Sequence, residues 1–413
     1  MKYEIKHDNV YDELVERGYL DECTHEEDLK KLLLQEKVPF YIGFDATADS
    51  LTIGHFVQLM VMMRMQAHGH IPIALLGGGT TMIGDPSGRS DMRMVMTKDV
   101  IDYNAKRFYE QMQRFIDFSE GKAIVENNAD WLLNINFLDF MRNIGVHFNV
   151  NEMLKKDAYK IRLERGLTFF EFSYMLLQSY DYLYLYRKHG AKIQLGGSDQ
   201  WSNILSGAEL VKKHEDEQVY AMTFKLLTRA DGQKMGKSMA GAIWLDENKT
   251  SPYELYQYMR NSDDRDVKKF LNLLTFVPTD EINELTKYSD ERMNKAKEVL
   301  AYEIVKLIHG EDKANQALET SKSLFAKGVA DENMPTTEIT ESDFENNKGL
   351  LSIMTYAGLT NSNGEARRLV QQGGVRVNDE KITDVKYELN LNDLKEGIII
   401  QKGKKVFHKI ILK

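Results

Sequence analysis

Four short apolar runs, 38-VPFYIGF-44, 71-IPIALLGG-78, 122-KAIVEN-127 and 192-KIQLGG-197, alternate with amphipathic segments over residues 1–227. Strand-length runs buried on both faces, separated by helical patterns, are the rhythm of a parallel sheet covered by helices. A Rossmann-like α/β domain is therefore expected here. Ligands of such sheets gather at the carboxyl ends of the strands. Those ends carry Gly43-Phe44-Asp45, Gly77-Gly78-Gly79, Glu126-Asn127-Asn128 and Gly196-Gly197-Ser198-Asp199-Gln200, which concentrates polar groups on one rim.

The pattern changes from about residue 250. Ser251-Pro252 opens a helix, and helical periodicity runs on through 263-DDRDVKKFLNLLTF-276 and 295-KAKEVLAYEIVKLIHG-310, so residues 228–325 are expected to form a Gly-punctuated loop and a small helical domain. The stretch 326–345 is acidic and polar with little periodicity, which predicts a linker. Beyond it, 346–413 is expected as a C-terminal α+β unit, in which 364-GEARRLVQQGG-374 is a helix closed by glycine and short strands follow from Val375.

Bulk properties narrow the function classes. At 413 residues two or three domains are expected, and no apolar run approaches the roughly 18 residues that a membrane span needs. The N-terminal stretch 1-MKYEIKHDNVYDELVERG-18 mixes acids with bases and has no apolar centre, so no leader is expected and the cytoplasm is the expected address. The single cysteine, Cys23, is read as a packing residue, since it excludes an internal disulfide or a Cys-rich zinc site. His68 and His70 form a close pair, but no neighbouring carboxylate or cysteine completes a ligand set, and no protein-held metal is expected. A net charge of −9 disfavours indiscriminate nucleic-acid binding, so any RNA contact must be local.

Thr52-Ile53-Gly54-His55 follows the first apolar run and precedes 56-FVQLMVMMRMQAHG-69, which has helical periodicity. A strand-to-helix turn presents free backbone N–H groups and the positive end of a helix dipole, and a histidine there can donate to an anion. Gly77-Gly78-Gly79-Thr80-Thr81 and Gly84-Asp85-Pro86-Ser87-Gly88 do not match the phosphate-loop pattern G-x-x-x-x-G-K-[ST], which is rejected. In 171-EFSYMLLQSYD-181 the residues Tyr174, Gln178 and Asp181 share one helical face, opposite Met175 and Leu176. A plain reading makes this an aromatic core helix, and makes Asp-Pro-Ser-Gly an ordinary turn.

The turn at 52–55 resembles the HIGH signature, and 234-KMGKS-238 resembles the KMSKS signature, of class I aminoacyl-tRNA synthetases. Together with 41-YIGFDATADSLTIGH-55, 84-GDPSGRSDMR-93, 171-EFSYMLLQSYD-181 and 196-GGSDQW-201, in that order, nearly the whole chain resembles bacterial-type tyrosyl-tRNA synthetase, with a C-terminal portion similar to the S4 RNA-binding module. The resemblance implies ATP-dependent activation of L-tyrosine to tyrosyl-AMP, with Mg²⁺ accompanying ATP and no zinc, followed by transfer to the 3′ end of tRNA(Tyr), in a homodimer. It implies that Tyr174, Gln178 and Asp85 hold the substrate ammonium, that Asp181 and Tyr41 meet its phenol, and that Asp45 and Thr47 lie near the amino acid and the pyrophosphate. Gly54 and His55 are implied at the phosphates, Asp199 at the ribose, and Gln200 on the adjoining surface. Arg89 and Arg93 match mobile-loop positions facing pyrophosphate, and Lys234, Lys237 and Ser238 the closing loop. Thr52 stands where the family usually has histidine, as a weaker donor or as a helix cap.

For RNA, the resemblance implies Arg367 and Arg368 on the S4-like helix and Arg376 on the next strand, reinforced by Lys402, Lys404, Lys405, Lys409 and Lys413 in a tail without acids. Phe169, Phe170 and Phe172 are implied at a dimer contact. Three other readings stay open: a tryptophanyl enzyme of the same subclass, which Tyr41 with Asp181 disfavours; a nucleotidylyltransferase, which needs no 234–238 loop; and a non-catalytic RNA-binding paralogue, with Thr52 as a first lost residue.

Overall fold

The computed structural model describes residues 5–87, 96–164, 166–232, 235–238, 241–327, 334–378, 380–403 and 406–413. Two compact units divide the chain, one built from residues 1–235 with 271–279 and the other from 236–270 with 280–413.

The first unit holds a six-stranded sheet made of β1 (Leu20–Cys23), β2 (Pro39–Phe44), β3 (Ile71–Leu76), β4 (Ile124–Asn127), β5 (Ile193–Gly197) and β6 (Tyr220–Phe224), in the spatial order β1-β6-β5-β2-β3-β4. Pairings among β2 to β6 are parallel, and β1 caps one edge antiparallel to β6. All four predicted runs are strands of this sheet. β1 and β6 were not predicted: β6 is a five-residue run that only its burial between β5 and β1 marks as a strand. The chain moves outward from β2 to β3 and β4, then returns to the other side of β2 for β5 and β6. The order therefore reverses between β2 and β5, the place where α/β sheets open a ligand crevice.

The helix Ile53–Ala67 covers this sheet with an almost continuously buried face that includes Arg64, which is fully buried. Arg64 pairs with Glu13, donates to the Thr275 carbonyl at 2.6 Å and lies 4.6 Å from the centre of the Phe276 ring. Glu13 also accepts from His68 at 2.9 Å, and Tyr19 donates to the Leu273 carbonyl at 2.5 Å. A buried guanidinium is tolerable because its donors and its counter-charge are all satisfied. This knot ties residues 271–279 to the first unit. Within residues 133–170, by contrast, the large apolar side chains of Phe137, Leu138, Val146 and Phe169 are each at least 64% exposed.

In the second unit the helix Pro252–Arg260 starts with Pro at its first position, behind a capping box in which the Ser251 side chain accepts from Glu254 N–H. Two long helices, Met293–His309 and Glu311–Lys327, pack with it. β7 (Lys237–Ser238) and β8 (Gly241–Ala242) form a short antiparallel hairpin. The C-terminal sheet comprises β9 (Thr336–Ile339), β10 (Val375–Val377), β11 (Glu380–Ile382), β12 (Ile398–Lys402) and β13 (Val406–Leu412), in the order β11-β10-β12-β13-β9.

The expected linker at 326–345 is corrected here. Thr336–Ile339 is an edge strand parallel to β13, and Ile339 and Phe344 are buried in the C-terminal core with Leu350, Val370 and Ile400. An edge strand with one buried face keeps its other residues polar, which is why the segment reads as linker by composition.

Candidate active site

Strand ends and one helix start converge on a cleft of about 360 Å³, inside the range of roughly 300–1,000 Å³ usual for small-molecule sites. Tyr41, Asp45, Thr47, Gly54, His55, Asp85, Tyr174, Gln178, Asp181, Asp199 and Gln200 all line it. The sheet brings them together: Tyr41 lies within β2, Asp45 and Thr47 follow its end, and Asp199 and Gln200 follow β5. The helix Tyr174–His189 presents Tyr174, Gln178 and Asp181 to the cleft, while Met175 and Leu176 pack into a separate buried cluster with Tyr159. Phe172, expected at a dimer contact, turns inward onto the Tyr159 ring, whereas Phe169 and Phe170 are exposed.

Asp181 is 1% exposed and accepts from Asn128 Nδ2 at 2.9 Å and Trp131 Nε1 at 2.8 Å. Burial pushes its carboxyl up from 3.8 to about 7; the two hydrogen bonds oppose that rise and the charge of Asp45 adds to it. The Tyr41 hydroxyl is buried with no hydrogen-bond partner among the described residues, and burial, then the nearby Asp181, hold its proton on well above the ordinary range. A donor without a partner, next to a carboxylate in a buried cleft, is costly unless a ligand completes the set.

At the other end of the helix face Tyr174 donates to Asp45 Oδ2 at 3.1 Å, and Thr80 donates to Asp45 Oδ1 at 3.0 Å. Asp85 accepts from Ser87 N–H at 2.9 Å, as a plain turn would, but also from Gln200 Nε2 at 2.6 Å. The Gly77-Gly78 turn is glycine for packing: a Cβ at Gly77 would lie 2.4 Å from Asp45 Oδ1, and one at Gly78 2.2 Å from Asn127 Oδ1.

Thr52 is the N-cap residue of the helix Ile53–Ala67 and is not among the residues lining the cleft. Its backbone N–H donates to His55 Nδ1 at 3.0 Å. An N–H can only donate, so that lone pair is taken and neutral His55 carries its proton on Nε2. Arg89, Arg93, Lys234, Lys404 and Lys405 lie outside the described residues. Lys237 and Ser238 form β7 in the second unit. Arg367, Arg368 and Arg376 are exposed, whereas Lys402 donates to the Leu359 carbonyl at 2.5 Å and faces Glu365 at 3.3 Å, which removes it from the expected basic patch.

Sequence reasoning placed Asn128 only among the polar strand ends, without a role, and missed Trp131. Asn128 is 1% exposed; its Oδ1 accepts from Gly79 N–H at 2.7 Å while its Nδ2 reaches Asp181, so it joins the glycine turn to the buried carboxylate. The one available signal was its place just past the end of β4.

Comparison with known proteins bears on this geometry. The family model for class I tRNA synthetases (W and Y) matches residues 33–326, and that for the tyrosine–tRNA ligase SYY-like C-terminal domain matches residues 326–410. Over 403 residues the chain is 56% identical to the tyrosine–tRNA ligase of Lachnoclostridium phytofermentans, covering 97% of this chain and 98% of that one. The enzyme of the same name from Acetivibrio thermocellus is 54% identical over 405 residues, 98% and 99% of the two chains. Among solved structures, a C-terminally truncated mitochondrial tyrosyl-tRNA synthetase of Aspergillus nidulans superposes with a TM-score of 0.69 at 30% identity, over 77% of this chain and 95% of that one. A fold, a cleft and a full-length likeness all agree, and the chain belongs to the tyrosine–tRNA ligase family of the class I tRNA synthetases.

Proposed function

We propose that this protein is a tyrosine–tRNA ligase, which joins L-tyrosine to AMP with release of pyrophosphate and then transfers the tyrosyl group to the 3′ end of tRNA(Tyr). The observation that carries the substrate choice is the partnerless, buried Tyr41 hydroxyl beside Asp181. A phenol donates to Asp181 and accepts from Tyr41, satisfying both. Phenylalanine would leave the Tyr41 hydroxyl unpaired and bring Asp181 no donor beyond Asn128 and Trp131, and an indole offers a donor but no acceptor.

The rest of the cleft suits the other end of an amino acid. Asp85, Tyr174 and Gln178 take the ammonium, with Asp45 behind Tyr174. The tyrosine carboxylate then faces the nucleotide end, where Gly54 and His55 Nε2–H serve the phosphates at a helix N-terminus, Thr47 the pyrophosphate, and Asp199 the ribose, with Gln200 adjoining. The carboxylate attacks the α-phosphorus and pyrophosphate leaves. No protein nucleophile is needed, and the rate comes from positioning and from stabilising charge on the phosphates. Arg89, Arg93, Lys234, Lys237 and Ser238 are assigned to that stabilisation by their match to the family motifs. Mg²⁺ enters with ATP, held mainly by phosphate oxygens and water, in keeping with its preference for few protein ligands.

Three further readings belong to the proposal. The exposed Arg367, Arg368 and Arg376 contact tRNA phosphates. The apolar face around Phe137, Leu138, Val146 and Phe169 is covered in a homodimer. The protein works in the cytoplasm, and among the described residues no helix is long and apolar enough to cross a membrane.

The test is amino-acid-dependent exchange of pyrophosphate into ATP. Tyrosine should support exchange, while tryptophan and phenylalanine should support little or none. Equal exchange with tryptophan, or none with any amino acid, would overturn the assignment.

A further inference from the structure

Within the cleft wall, a ring of polar side chains begins and ends at Asp85. A carboxylate only accepts, so the atom of Gln200 that lies 2.6 Å from Asp85 Oδ2 is Nε2, and Gln200 turns its Oε1 the other way. Two amides meet that oxygen, Gln178 Nε2 at 3.3 Å and Asn203 Nδ2 at 3.3 Å. Asn203 Nδ2 also donates to Ser87 Oγ at 3.2 Å, and Ser87 N–H returns to Asp85 Oδ1 at 2.9 Å, which closes the ring. Asn203 is 2% exposed and is not one of the residues lining the cleft.

The consequence falls on Gln178. Its NH₂ is directed to Gln200, and its Oε1 is buried with no hydrogen-bond partner among the described residues. We propose that Asn203 is a positioning residue for the amino-acid ammonium: without touching the ligand, it fixes the sense of the Gln200 amide and, through it, the sense of Gln178, so that Gln178 offers an oxygen rather than an NH₂ to the cation. This rests on the reading that the substrate ammonium meets Gln178, Tyr174 and Asp85. The relay works by sign. Asn203→Asp keeps the shape but replaces a donor with an acceptor, so two carboxylates then compete for the one NH₂ of Gln200. When that amide turns, Gln178 must present its oxygen to Gln200 and its NH₂ to the cleft, exchanging attraction for repulsion at the ammonium. Asn203→Ala removes one donor but leaves Asp85 to hold the original sense, so its effect is smaller.

The experiment compares Asn203→Asp, Asn203→Ala and the unsubstituted protein in tyrosine-dependent pyrophosphate exchange. Two competitive ligands accompany it: tyramine, which keeps the ammonium, and 3-(4-hydroxyphenyl)propionate, which lacks it. For Asn203→Asp, the KM of tyrosine and the inhibition constant of tyramine should rise about tenfold, the scale of one charge-assisted hydrogen bond, and for Asn203→Ala about threefold. The KM of ATP and the inhibition constant of the propionate should stay within about twofold, the span of an ordinary substitution remote from the ligand. A packing role predicts the reverse order, since Ala leaves a void that Asp fills. Equal weakening of both competitors, a larger effect from Ala, or no effect overturns the role of Asn203. Absence of tyrosine-dependent exchange in the unsubstituted protein overturns the activity reading on which it stands. If Asn203→Asp does not fold, the tyramine-to-propionate ratio in Asn203→Ala decides: threefold is expected, and unity overturns the proposal.

Discussion

Asp181→Asn separates the electrostatic cost of the site from its hydrogen bonding. In the folded protein the Asp181 carboxyl titrates at about 7, against 3.8 without its surroundings, and burial is the main cause. Well below pH 3.8 it is protonated in both folded and unfolded chains and contributes nothing to pH dependence. As pH rises through the window from about 4 to 7, the unfolded chain gives up this proton and the folded chain keeps it, so the folded state loses relative stability. The loss amounts to about three pH units at about 1.4 kcal/mol each, or about 4 kcal/mol, and is complete above pH 7. Asparagine abolishes that loss but brings an N–H against Asn128 Nδ2, a conflict of about 1–3 kcal/mol that does not depend on pH. The stability of Asp181→Asn minus that of the unsubstituted protein should therefore be negative near pH 3 and climb by about 4 kcal/mol by pH 8. Urea unfolding of the ligand-free proteins at several pH values measures this difference. A difference that stays flat across the window would refute a buried carboxyl with a raised pKa. The same variant should lose most tyrosine-dependent exchange, since one acceptor for the phenol is gone.

Other substitutions test separate parts of the structure. Thr52→His should retain or raise the exchange rate, because the backbone N–H to His55 Nδ1 survives and a ring donor is added; a collapse with the fold intact would mean the turn has adapted to threonine. Cutting the chain near Asp331 should leave exchange nearly intact and severely impair tRNA charging, and tRNA binding by the full chain should show the steeper fall with salt; equal charging by both forms would remove the C-terminal unit from RNA binding. Arg64→Met should destabilise the protein by about 3–5 kcal/mol in denaturant unfolding, since Glu13 would stay buried with its main counter-charge gone; a change under 1 kcal/mol would mean that Arg17 and His68 suffice. Phe137→Asp should shift the protein toward monomers in sedimentation, and unchanged dimers, or monomers before substitution, would exclude this face as the contact.

Local physics is what the sequence determined. The four strands β2 to β5 were legible because a short apolar run between helical segments has a recognisable length and composition. The start of the helix Pro252–Arg260 was legible because Ser, Pro and Glu at fixed offsets satisfy the free N–H groups of a first turn. The shared face of Tyr174, Gln178 and Asp181 follows from 3.6 residues per turn. Tertiary structure decided the rest, where a residue's role depends on a partner far along the chain. Arg64 sits in the apolar pattern of its helix as an apparent exception, and becomes a core residue only because Glu13 and the Thr275 carbonyl meet it from 51 and 211 residues away. The segment 336–339 looks like linker until β13 pairs with it. Asn128 and Trp131 become the cradle of Asp181 only when β4 is laid beside the helix Tyr174–His189, and Asn203 meets Ser87 from 116 residues away. Period and capping are written within a few neighbours, but whether a buried polar atom is satisfied depends on which distant groups the fold brings to it.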